Sequence, residues 1–382
     1  GLDYCVMYPT GGFATAMQND DEVRKAACRA FNIFSAEYFA DYSDAMTPVA
    51  VIPMHTPDEA IEEIIYIRES LELKACLFSG MVPRPVPAAE EGDAKAHRLG
   101  SVTYDVFGID SPYDYDPVWE ACLEYGVSPT FHAGGRGYAL RRSPTNFTYN
   151  HIGHFASTAE AICKAMFLGG VTRRFPDLRM GFLEGGTAWA CQLYADLIEH
   201  WEKRNRTALE YNDPANLDHN LMIDLASEFG PDGMAEMMAD RDSALFAALN
   251  TAASTNDGGQ PELDDYAPCE IEREEDIADL FVPNFYFGCE ADDRLNATAF
   301  NTEVNPMGSR INALFSSDIG HFDVIHMNRV LPHAWELVDD GVMDLDDFRE
   351  FTFANPARFW TSNNSDFFAG TNVEAQVAEL LK

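Results

Sequence analysis

Residues Ser128 to Gly137 read S-P-T-F-H-A-G-G-R-G. A short β-prone run ends in a histidine, His132, and the backbone then turns through Gly134, Gly135 and Gly137. In parallel α/β folds, a side chain at the C-terminal end of a buried strand points into the space where sites are built. A histidine there binds a metal through a neutral ring nitrogen or moves a proton near neutral pH. The glycines permit φ > 0 and let the backbone pass close to a ligand. A hydrogen-bonded core histidine before an ordinary turn explains the same residues equally well, so neighbouring segments have to decide.

Outward from this stretch, strand-like and helix-like segments alternate. Strands are expected at Asp3 to Tyr8, residues 47 to 54, Lys74 to Phe78, Val127 to His132, Met180 to Leu183, Asn284 to Cys289 and Ala313 to Ser317. A helix opens at Asp20 or Asp21, with Val23, Ala27, Phe31, Phe34 and Tyr38 at the spacing of one apolar stripe. Thr56-Pro57-Asp58-Glu59 is a helix start, with Thr56 as cap and acids in the first turn. Ser79 to about Tyr115 reads as a long loop, Asp116 opens a helix that Gly126 ends, and Ser157 or Thr158 caps another. Further helices are expected from Thr187 to Lys203, Ala291 to Glu303, Phe322 to Val338 and Leu345 to Phe353.

Seven alternations imply a parallel sheet with right-handed crossovers. The expected class is α/β: a TIM (β/α)8 barrel lacking its first strand, over residues 1 to 360, with a helical acidic insertion at 205 to 280 and a peripheral tail at 361 to 382. The insertion has the character of a lid or a subunit contact. The chain opens almost directly on the apolar run Tyr4 to Tyr8, which reads as a start inside a domain. An open doubly wound sheet is the competitor, but neither G-x-G-x-x-G nor G-x-x-x-x-G-K occurs.

The formal net charge of −37 argues against nucleic acid or an anionic membrane as partner. No apolar run approaches a membrane span. The eight cysteines are scattered without a C-x-x-C pair, which fits reduced thiols in a cytoplasmic protein.

Three strand ends carry metal- or proton-competent groups: His132, Glu184 and Asp318. In a barrel they meet at one mouth. An aspartate closing the apolar run L-F-S-S-D needs a strong partner, since an unpaired carboxylate is costly to desolvate. A divalent metal is such a partner; backbone amides or an arginine are the alternative. His321, three residues after Asp318, lies at the same mouth, either orienting substrate or starting a surface helix. His151 and His154, spaced i, i+3 in N-H-I-G-H-F, share a face if helical and would then contact substrate or ligate; satisfied imidazoles at a loop-to-helix junction are the other reading. Arg136, Arg141 and Arg142 suit a carboxylate or phosphate of the substrate, with pairing to local acids as the alternative. His55 reads as structural and His97 as exposed.

F-H-A-G-G at 131 to 135, R-F-P-D-L-R-M-G-F-L-E-G-G at 174 to 186, L-F-S-S-D-I-G-H at 314 to 321 and F-A-N-P-A-R-F-W at 353 to 360 together resemble the amidohydrolase family that includes the ACMSD-type decarboxylases. The resemblance spans about Gly1 to Trp360 apart from the insertion. It implies a metal-dependent TIM barrel in which His132 and Asp318 are ligands and a first strand, upstream of this chain, brings an H-x-H-like pair. It also implies an acid/base histidine where this chain has Glu184, which weakens a decarboxylase reading.

The expected function is therefore a metal-dependent hydrolase acting on a small, carboxylate-bearing substrate through a metal-activated water. Zinc is the expected metal, with manganese or iron as alternatives. Asp318, Glu184 and His321 are the expected catalytic groups; His132, Asp318 and Glu184 the metal ligands; His151, His154, Arg136 and Arg142 the substrate contacts. Non-oxidative decarboxylation is the first alternative and a non-catalytic binding barrel the second. The expected partners are a small molecule and a second copy of the chain in a homo-oligomer.

Overall fold

A computed structural model describes residues 2–85, 102–132, 143–211, 216, 218–240 and 264–382. It divides into two compact units, Gly1–Leu197 with Pro268–Lys382, and Ile198–Ala267. Each is described by itself.

The larger unit holds seven parallel strands: β1 (Cys5–Met7), β2 (Met46–Ile52), β3 (Ala75–Phe78), β6 (Pro129–Phe131), β7 (Met180–Phe182), β8 (Phe285–Glu290) and β9 (Asn312–Ser316). They run side by side in the order β1-β2-β3-β6-β7-β8-β9. The sheet is curled, as in a TIM-like barrel with one strand missing. The curl is visible in the packing: Val6 and Tyr8 at one edge and Leu314 at the other pack on a single apolar cluster. All seven expected strands are therefore present. The stretch expected as one loop between residues 79 and 115 contains an antiparallel hairpin, β4 (Val82–Pro85) with β5 (Val102–Asp105). Arg84 clamps it, donating to the Asp105 carboxylate at 2.8 Å, the His55 carbonyl at 2.8 Å and the Tyr115 hydroxyl at 3.0 Å.

Local chemistry explains the helix starts. The Thr56 hydroxyl accepts from the Glu59 amide, and the Glu59 carboxylate accepts from the Thr56 amide, closing a capping box on helix Pro57–Glu69. Helix Asp21–Phe39 is capped by Asp20, as expected, but its inward face is not the apolar stripe. Val23, Phe34 and Tyr38 are exposed, while Arg24, Cys28, Asn32 and Ser35 are buried. Polar pairing decides the orientation. Arg24 meets Glu59 at 2.9 Å, and the Asn32 amide bridges the Val51 carbonyl and the Glu63 carboxylate at 2.9 and 2.8 Å.

Four further expectations are corrected. Helix His154–Leu168 begins three residues before Ser157, at a left-handed Gly153 with φ 69°, and the Ser157 and Thr158 hydroxyls donate back to the His154 carbonyl. Between Ala291 and Glu303 there is a 3-10 turn, Arg294–Phe300, started by the Asp293 carboxylate. Of the helix expected from Phe322 to Val338, regular α-helix begins only at Val330 and runs to Asp339, after a 3-10 turn at Met327–Arg329. The segment after residue 360 is not peripheral: Phe367, Phe368 and Val377 are buried in the cluster that Val49, Leu77, Tyr286, Leu314 and Phe359 form. Among the described residues no helix is long and apolar enough to cross a membrane.

The smaller unit, Ile198–Ala267, contains helices His219–Phe229, capped by Asp218, and Met234–Ala239.

Candidate active site

Four neighbouring strands end in titratable side chains: His132 after β6, Glu184 after β7, Glu290 closing β8 and Asp318 after β9. Register places them in adjoining rows, with Thr130 beside Gly181, Gly181 beside Tyr286 and Glu290 beside Ser316. His132 Nε2 lies 2.5 Å from Glu184 Oε2. Both Glu184 (φ 60°) and Asp318 (φ 47°) occupy the left-handed region, which turns their carboxylates out of the strand path. Gly185 follows because nothing larger fits: a Cβ there would lie 2.9 Å from Trp189 Nε1.

Three aromatic rings surround His132, with Phe13 and Phe155 at 4.7 Å and Tyr8 at 6.4 Å between centroids. The Tyr8 hydroxyl donates to Thr130 Oγ1, which donates to the Cys76 carbonyl. Among the described residues, Nδ1 of His132 is buried and has no hydrogen-bond partner. A cleft of about 250 Å³ opens beside this group, lined by His151, Ile152, Phe155, Glu184, Glu290 and Asp293, among others.

Burial first, and acid–acid proximity second, set the electrostatics. Burial, then the Glu184 carboxylate, holds Asp318 above the usual aspartate range. Loss of hydration at the rim, then Glu184, Asp292 and Asp318, does the same to Glu290. His321 is raised, first by its hydrogen bond to Asp323, which is lowered in turn. His321 Nδ1 also lies 3.4 Å from Asp318 Oδ2. The donor atoms of Asp318, His321 and Asp323 all lie within 4.8 Å of one another, close enough to share one cation. Imidazole nitrogen and carboxylate oxygen together suit zinc, manganese or iron.

The expected site residues thus sort as follows. His132 meets Glu184, Asp318 meets His321, and Glu184 and Asp318 perturb the same groups. His151 lines the cleft, whereas His154 is 1% exposed, packed on Phe155 with ring centroids 3.8 Å apart and outside the cleft lining. The two histidines do not share one helix; His151 ends Phe147–His151 and His154 starts the next. Arg136, Arg141 and Arg142 lie outside the described residues. Sequence reasoning missed Glu290, because the strand was expected to stop at Cys289. The signal was present: the apolar run F-Y-F-G-C ends in an acid, as G-F-L does before Glu184.

His55, after β2, is held by the fold around it. Burial, then the Arg24 guanidinium, pushes its ring down to about 4, from an ordinary value of 6.5. The folded state therefore prefers the neutral ring. That contribution is complete above pH 6.5 and is lost as pH falls towards 4. Between pH 7 and 5 His55 removes up to about 2 kcal/mol of stability. Urea denaturation at both pH values checks this: His55→Asn loses less stability than wild type, and equal losses refute it.

The family model described as amidohydrolase matches residues 7–234. Among solved structures, a dihydroxybenzoic acid decarboxylase from Polaromonas sp. JS666, with bound manganese and the inhibitor 2-nitroresorcinol, is 16% identical at a TM-score of 0.51, covering 93% of this chain and 81% of that one. A 2,6-dihydroxybenzoate decarboxylase from Rhizobium is 15% identical at 0.51, covering 94% and 84%. An amidohydrolase from Mycobacterium avium subsp. paratuberculosis K-10 is 17% identical at 0.51, covering 94% and 71%. At these identities the likeness is one of fold. No curated protein sequence matches the chain.

Proposed function

Because the chain belongs to the amidohydrolase family, we propose that it is a metal-dependent enzyme that decarboxylates a small organic acid without an oxidant. The observation that carries this reading is the 2.5 Å contact of His132 with Glu184 at adjoining strand ends, with Asp318, two strands on from Glu184, feeling both groups electrostatically. The like-folded dihydroxybenzoate decarboxylases support decarboxylation over the hydrolysis expected from the sequence.

His132, Glu184 and Asp318 would hold the metal, with Asp318, His321 and Asp323, whose donor atoms lie within 4.8 Å of one another, as the alternative set. A divalent cation at these donors supplies positive charge that polarises the oxygens of the substrate. Manganese is favoured by the Polaromonas structure, with zinc and iron as alternatives. In the reaction the bond between the substrate carbon and its carboxylate breaks, CO2 leaves, and the carbon takes a proton. Glu290, raised towards the acid form by burial and by the acids around it, would supply that proton and be recharged from solvent. Phe13, Tyr8 and Phe155 exclude water around His132. His151 faces the substrate from the cleft wall, and Arg136 and Arg142 stay candidates for the carboxylate. The seven described cysteines, all free, support a reducing, cytoplasmic setting.

Hydrolysis is the second reading. Glu184, standing where the family resemblance implies a histidine, favours it as a base acting on water. The deciding experiment incubates manganese-loaded protein with hydroxybenzoic acids in D2O. The expected result is CO2 release with deuterium at the vacated carbon. Turnover of esters or amides with no CO2 moves the assignment to hydrolysis, and no turnover after loading with any of the three metals rejects both.

A further inference from the structure

Strand pairing lays a row of side chains across the mouth of the barrel. Leu77 pairs with Thr130, and Phe78 with Phe131. Phe78 packs on Phe131 and on Trp119 of helix Asp116–Glu124, so this pair faces the helices. Leu77 and Thr130 face the lumen, where Leu77 joins the cluster around Phe359. Alternation along each strand then makes Ser79 and His132 the next lumen-facing positions. Ser79 is 9% exposed, and among the described residues its hydroxyl has no hydrogen-bond partner. His132 Nδ1 is in the same condition. A buried hydroxyl left unpaired destabilises the fold, and native proteins keep few of them without cause. A ligand oxygen seated between the two strands would satisfy the group.

Resting on the reading of this mouth as a carboxylate-processing site, we infer that Ser79 is a substrate-binding residue, its Oγ–H donating to an oxygen of the substrate carboxylate beside His132. Sequence reading assigned Ser79 only to the start of a loop. The register of β3 against β6 brings it next to the histidine. A hydroxyl at this place is neutral and needs no desolvation of charge. It can therefore fix the orientation of a carboxylate without opposing the acids that crowd Glu184, Glu290 and Asp318.

The test is Ser79→Ala in manganese-loaded protein, with benzoate as probe, read by titration calorimetry and thermal melting. The expected result is an affinity about tenfold weaker, one hydrogen bond's worth, with a melting temperature equal to or above wild type because an unpaired group is gone. Ser79→Thr, which keeps the hydroxyl, restores affinity. On substrate, Ser79→Ala raises KM more than it lowers kcat. Equal affinity in wild type and Ser79→Ala overturns the inference, as does a wild type that does not bind benzoate, or a lower melting temperature with affinity unchanged. If benzoate binding depends on Ser79 but no acid yields CO2, the decarboxylase reading fails while the Ser79 assignment stands.

Discussion

Asp318→Asn is expected to lower turnover by about a thousandfold or more and to leave the barrel folded. The substitution is nearly isosteric, and asparagine tolerates the left-handed backbone that Asp318 adopts at φ 47°. What it removes is the negative charge. On the proposed reading a carboxylate ligand becomes a neutral amide, which would weaken the hold on the cation that polarises the substrate. The neighbouring His321, 3.4 Å away, loses an anionic partner as well. Rate, metal content and melting temperature should be measured together. Turnover above a tenth of wild type, at full metal loading, would remove Asp318 from the chemistry and with it the proposed mechanism.

Phe359→Ala has the largest expected effect on stability, about 3 to 5 kcal/mol. The ring is fully buried inside the sheet's curl, 5.0 Å from the Tyr286 ring and 4.8 Å from the Trp360 ring between centroids. The sheet makes room for it at Gly181, where a Cβ would lie 2.9 Å from the ring's Cζ. Removing it leaves a cavity bordered by strands, and hydrogen-bonded strands cannot collapse inward to refill it. Urea denaturation measures the loss. A change below 1 kcal/mol would mean that the C-terminal segment is not part of the core. The two substitutions divide the protein cleanly, one acting on chemistry and one on folding.

Much of this was readable from the chain. Each of the seven strands is an apolar run closed by turn residues, and both Asp20 and Thr56 act as the caps their residue types suggest. Three of the four strand-end groups stood out because histidine, glutamate and aspartate are costly to place at the end of an apolar run. Glu290 escaped because its strand is one residue longer than its apolar run. The orientation of helix Asp21–Phe39 escaped for another reason. Periodicity ranks side chains by hydrophobicity, whereas the buried face is fixed by Arg24 and Asn32, whose partners, Glu59, Val51 and Glu63, are distant in sequence. The tail failed likewise: Phe367, Phe368 and Val377 are too sparse to signal a core until Val49, Leu77 and Leu314 stand beside them. Single-residue events such as the left-handed Gly153, which separates His151 from His154, leave almost no pattern to read.

The left-handed backbone at Glu184 and Asp318 bears on how such a protein can change over generations. Each side chain there costs the fold about 1 kcal/mol that glycine would not. A lineage selected for heat resistance alone would drift to glycine at both positions and, on the proposed reading, lose the reaction. Keeping the acids therefore requires continuous selection on the reaction itself. Random variants that grow more thermostable should be screened first at these two codons, because a gain in melting temperature there signals lost chemistry.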